Sequence, residues 1–106
     1  MFIPGTTPTI IIRLKASSIP MMATTIKYRM DFSQNGEVIV TKNDDEISRD
    51  PEAGIIACTL TQAESYLFEK AKYKVQVHGL MNDGTAWKTI VEKESVGESL
   101  SDEVIA

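Results

Sequence analysis

Tyr73-Lys74-Val75-Gln76-Val77-His78-Gly79-Leu80-Met81-Asn82-Asp83-Gly84-Thr85-Ala86-Trp87-Lys88-Thr89-Ile90-Val91 is the stretch from which the fold is read. Apolar and polar residues alternate on both sides of Asn82-Asp83-Gly84, as in an antiparallel hairpin. A three-residue loop with Gly84 in the left-handed region sets Met81 opposite Thr85, Gly79 opposite Trp87, Val77 opposite Thr89 and Val75 opposite Val91. One face is then Val75, Val77, Thr89 and Val91, with the Trp87 indole lying over Gly79. The other is Lys74, Gln76, His78, Lys88 and Glu92, with Leu80 and Ile90 as apolar exceptions. A two-residue loop would set Lys88 against Val77 and mix the faces, which a half-buried sheet opposes. An indole covering a strand glycine also stabilises the pairing.

Upstream, Thr61-Gln62-Ala63-Glu64 has the spacing of a capping box, which predicts a helix over about 62–70 with Ala63, Tyr66 and Leu67 inward. A helix of two turns does not hold by itself and must lean on a sheet. Ile55 to Leu60 reads as a buried strand. Ile26, Tyr28, Met30 and Phe32 alternate with Thr25, Lys27, Arg29 and Asp31. With the Asn35-Gly36 turn and Val38-Ile39-Val40-Thr41, they form a second hairpin whose polar face carries Arg29 and Asp31. Thr9 to Lys15 is a first strand, Ala16 to Pro20 a loop. Lys42 to Gly54 reads as an acidic surface loop, interrupted by a short strand around Ile47.

Six or seven strands at this spacing and one short helix predict a mainly β fold, a small antiparallel immunoglobulin-like β-sandwich. At 106 residues the chain forms a single domain, 1–106, with an extended arm at 1–8 and an acidic tail at 97–106.

The composition, 42% hydrophobic and 25% charged, is that of a folded chain. A net charge of −4 speaks against non-specific binding to nucleic acid. No apolar stretch approaches membrane-spanning length, and Met1 to Gly5 does not have the form of a signal peptide. The single cysteine, Cys58, excludes an internal disulfide and fits a reducing compartment.

No constellation for catalysis stands out. His78 is the only histidine, and the hairpin register makes it an exposed strand residue opposite Lys88; acid–base work would need an orienting carboxylate. Cys58 lies in an apolar run and reads as a buried, inert thiol. One Cys and one His do not make a zinc site. Asn43-Asp44-Asp45-Glu46 lacks calcium-loop spacing and reads as a solvated acidic loop. Trp87, Tyr28, Tyr66 and Tyr73 fall at inward positions, which favours core over a sugar-stacking platform. The expectation is therefore no catalytic, cofactor-binding or metal residues. The candidate partner contacts are Phe2 and Ile3 in the arm, Met21 and Met22 beside Pro20, and Leu100, Val104 and Ile105 in the tail.

Five strings taken together, Gly5-Thr6-Thr7-Pro8-Thr9-Ile10, Leu60-Thr61-Gln62-Ala63-Glu64, Lys74-Val75-Gln76-Val77, Asp83-Gly84-Thr85-Ala86 and Val104-Ile105, resemble small proteins encoded among the structural genes of prophages of Gram-positive bacteria. More distantly, they resemble the N-terminal domain of the phage baseplate upper protein. The chain departs from that pattern at Ala71-Lys72-Tyr73, where such proteins often have a glycine. The resemblance implies a non-enzymatic virion part, a tail or baseplate adaptor made in the bacterial host cytoplasm. It implies partners that are other phage structural proteins or copies of the chain itself, with no nucleic acid and no membrane. The competing expectation is a carbohydrate- or ligand-binding sandwich, which would display Trp87 and the tyrosines on one face.

Overall fold

The computed structural model describes residues 2–69 and 71–93. Alternating sequence becomes strand in β1 (Thr9–Arg13), β2 (Thr25–Gln34), β3 (Glu37–Lys42), β4 (Ile47–Asp50), β5 (Ile55–Thr59), β6 (Tyr73–Met81) and β7 (Ala86–Lys93). Two single-turn helices, α1 (Ile19–Met22) and α2 (Gln62–Ser65), and 3-10 turns at Ala16–Ser18 and Asp44–Glu46 fill connections. All pairings are antiparallel, in sheets ordered β1-β5-β4 and β3-β2-β6-β7. The chain is thus a mainly β sandwich of immunoglobulin-like order. The small sheet corresponds to strands B-E-D of that fold and the large one to C′-C-F-G, with no counterpart of the first strand among the described residues.

The two inner faces share one core. Ile10, Ile12, Ile47, Ile56 and Cys58 of the small sheet meet Tyr28, Met30, Phe32, Val40, Val75 and Val77 of the large one. At one end Phe2, Phe68 and Tyr73 pack edge to face, with Phe2 and Phe68 centroids 5.1 Å apart. This cluster pins the start of the chain to the exit from α2.

The β6–β7 register is the one read from the sequence, from Val75 opposite Val91 to Gly79 opposite Trp87. Gly84 takes φ +88 in the loop. The β2–β3 hairpin turns at Asn35 and Gly36, with φ of 53 and 79, the mirror-type turn that matches strand twist. The Thr61–Glu64 capping box also forms: Thr61 Oγ1 accepts from Glu64 N at 3.1 Å, and Thr61 N donates to Glu64 Oε1 at 2.9 Å.

Three expectations are corrected. The helix stops at Ser65 rather than 70, and Ser65 and Phe68 face inward while Ala63 and Leu67 are exposed. Ser65 Oγ accepts from Gly5 N at 2.8 Å, and Gln34 holds the following link by accepting from Glu69 N at 2.7 Å. Those contacts replace a second helical turn. Ile26 does not share the inner face of β2, because pairing with β6 slips between Thr25 and Lys27 and turns Ile26 out to 53% exposure. Asn43 to Glu46 is mostly exposed, as expected, but it is not an irregular loop. It is a capped 3-10 turn whose Glu46, with Glu64, receives the buried Lys42 ammonium, at 3.4 and 2.6 Å.

Candidate functional site

The outer face of the four-stranded sheet carries a groove of about 520 Å³. Register places its walls. Lys27 pairs with Leu80 and Leu80 with Ala86; in the next row Arg29 pairs with His78 and His78 with Lys88. By strand alternation the intervening Tyr28 and Trp87 turn their side chains to the core, and with Gly79 they give the groove its backbone floor. Asn43, Asp44 and Asp45 form the rim at the edge of β2.

That rim is placed by an unmet backbone group. The β2–β3 ladder ends at Met30 opposite Lys42, so the Tyr28 N–H has no strand partner on that side. Asp44 Oδ1 accepts it at 2.8 Å and also takes Arg49 Nη2 at 2.7 Å. The Tyr28 hydrogen bond, outweighing partial burial and joined by Arg49, holds the Asp44 carboxyl below the usual carboxylate range. Arg49 in turn lies 4.7 Å over the Tyr28 ring.

Beside the groove, in the next row along the same face, sits Asp31, only 6% exposed. Its Oδ1 accepts from Thr41 Oγ1 at 2.7 Å and Arg29 Nε at 3.2 Å. Its Oδ2 lies 2.9 Å from His78 Nε2. That nitrogen is sealed from solvent and makes no directed hydrogen bond to the carboxylate. Burial raises the Asp31 pKa; the bonds from Thr41 and Arg29, with the Arg29 and His78 charges, outweigh it and keep the carboxyl below its ordinary value.

His78 is therefore not the exposed residue the sequence predicts. It is half-buried and backed by a carboxylate two residues along the neighbouring strand. Sequence reasoning missed this pair because Asp31 and His78 meet only through the β2–β6 pairing, which no turn announces. A carboxylate-backed histidine has part of the equipment of a general base, which also needs a positioned proton donor or nucleophile. The lone thiol is no help: Cys58 lies on the inner face, and burial pushes it up to about 11. Among the described residues, no group of three His, Cys, Asp or Glu side chains is placed to hold a metal ion.

The partner contacts expected from sequence do not line this groove. Two are corrected outright. Phe2 is buried among Phe68 and Tyr73, and Met22 is 1% exposed under Tyr28, whose hydroxyl donates to Met22 O at 3.5 Å. A side chain consumed by its own core cannot seat a partner. Met21 is half-buried and Ile3 exposed. Leu100, Val104 and Ile105 lie outside the described residues. No protein-family model matches the chain, and neither a curated protein nor a solved structure matches it.

Proposed function

We propose that the chain is a non-enzymatic assembly part, of the tail or baseplate adaptor kind that its sequence resembles, and that it works by packing against other virion structural proteins or copies of itself. The observation that supports this reading is the division of labour between rings and aliphatic side chains. Tyr28 and Tyr73 are buried, and Trp87 lies on Gly79 with its Nε1 donating to Thr25 Oγ1 at 3.0 Å. The large apolar groups left outside are aliphatic: Val38 and Ile90, each 60% exposed, together with Ile11, Ile26 and Leu80. Sugars are recognised by open aromatic faces, whereas exposed aliphatics on a rigid sheet suit contact with another protein. The outer strands β1, β4, β3 and β7 also leave four sheet edges without a strand partner among the described residues.

A second reading, a ligand-binding sandwich, draws on the groove, whose volume falls in the range of small-molecule sites. Light scattering over a concentration series, run beside a glycan array, separates the two. Concentration-dependent assembly with a blank array is the expected result. A chain monomeric at high concentration with clear glycan hits would overturn the proposal.

A further inference from the structure

Charge is distributed along this chain with one sharp break. Residues 94–106 contain Glu94, Glu98, Asp102 and Glu103 and no Lys or Arg, so their four acids equal the whole net charge of −4. The remaining 93 residues carry 11 acids and 11 cations. Within that neutral body the outer face of the large sheet gathers three cations. Lys27, Arg29 and Lys88 stand around His78 and Leu80 in the groove. Asp31 is paired with Arg29, and Asp44 is held by Arg49 and the Tyr28 N–H, so Lys27 and Lys88 are the groove cations without a hydrogen-bonded carboxylate among the described residues. Asp45 is the one rim carboxylate with no such bond.

The aliphatic groups match as well. Lys27 and Lys88 flank Leu80 on a diagonal two strands wide and one rung long, roughly 12 Å from strand spacings. In the tail, Glu98 and Asp102 flank Leu100, a separation of roughly 13 Å for extended chain. An extended segment presents alternate residues on one side, so acid, leucine and acid meet cation, leucine and cation.

We infer that the groove of one copy receives the acidic segment 94–106 of a second copy, with Glu98 and Asp102 on Lys27 and Lys88 and Leu100 against Leu80. This rests on the reading of the chain as an assembly part and gives that reading a contact. The interaction is between surface charges around a small apolar centre, so it weakens as ionic strength rises.

The experiment is sedimentation velocity on the full chain and three full-length variants. Wild type associates at low salt and dissociates toward roughly 0.5 M salt. The groove variant, Lys27→Glu with Lys88→Glu, and the tail variant, Glu98→Lys with Asp102→Lys, each lose association by roughly a hundredfold, as attraction at two contacts becomes repulsion. An equimolar mixture of the two regains it, since each groove then meets a tail of opposite sign, and the quadruple variant regains it alone. Circular dichroism on every variant establishes that the sandwich is intact. A wild-type oligomer indifferent to these substitutions would overturn the groove–tail contact and leave the assembly reading standing. A wild type that stays monomeric would also overturn it, as would a mixture that fails to associate; for a monomeric chain the glycan array then decides the broader reading.

Discussion

Gly79→Ala tests the register argument at its most exposed point. A Cβ built on Gly79 falls inside the Trp87 indole, against Cε2, Nε1 and Cζ2. These are ring atoms of a side chain fixed at both ends rather than the tip of a flexible one, so the indole must lift. Lifting it breaks the 3.0 Å bond from Nε1 to Thr25 Oγ1, worth about 1 kcal/mol. It also breaks the edge contact with Tyr28, whose ring centroid is 6.1 Å away at 82°, worth about 1 kcal/mol. Renewed exposure of part of the ring costs about 1 kcal/mol more. Alanine returns about 0.5–1 kcal/mol through lower chain entropy in the unfolded state. The net is a loss of about 2 kcal/mol, a fall of roughly 10 °C in Tm for a domain of this size. Trp87 is the sole tryptophan, so its emission reports the displacement directly and shifts to the red. In a Trp87→Ala background the same Gly79→Ala change is neutral or slightly stabilising, which gives a coupling of about 2–3 kcal/mol. A Gly79→Ala protein with unaltered melting and unshifted emission would refute the reasoning, because the indole would then not be resting on that glycine.

Further outcomes follow from the buried polar groups. Lys42→Met destabilises by about 2–3 kcal/mol at neutral pH, less than for a fully buried pair because Glu64 and Glu46 keep partial access to water. Burial raises the Glu64 carboxyl, and the Lys42 and Thr61 hydrogen bonds overcome this and set it below its ordinary value. Its contribution is therefore present above the usual glutamate range, about 4.3, and fades as pH falls through the lower folded value. Denaturant titrations should show the wild type and Lys42→Met converging in acid, and a constant difference would contradict the pairing. Cys58, buried with its thiol raised to about 11, resists aromatic disulfide reagents at pH 8 until the chain unfolds; rapid labelling of native protein would count against the fold. Ser65→Ala leaves Gly5 N without its acceptor and costs about 1–2 kcal/mol. Hydrogen exchange over residues 2–8 should quicken, and unchanged protection there would remove Ser65 as the anchor of that segment.

Much of the fold was legible because its information is local. Alternation within β6 and β7, the residues of the two hairpin loops and the Thr61–Glu64 spacing each act over a few residues, and period-two burial leaves one acceptable register. The length of α2 was not legible, because what stops it is distant: Gly5 on Ser65 and Gln34 on the link after Phe68. The outward turn of Ile26 was hidden for the same reason, since its bulge belongs to the β2–β6 pairing. Phe2 and Met22 looked like contact residues while only their neighbours in sequence were in view, and became core once the sheets closed over them.

The sequence by itself determined the β class, the register of the last hairpin, the indole over Gly79 and the concentration of acid at the end of the chain. Tertiary structure alone decided the groove. Asp31 and His78 are 47 positions apart in the chain and 2.9 Å apart in the fold, and Lys27, Arg29 and Lys88 share a surface only because β2 pairs with β6. Pairing between distant strands is selected by burial of the whole inner face, and the outer face inherits whatever neighbours that burial imposes.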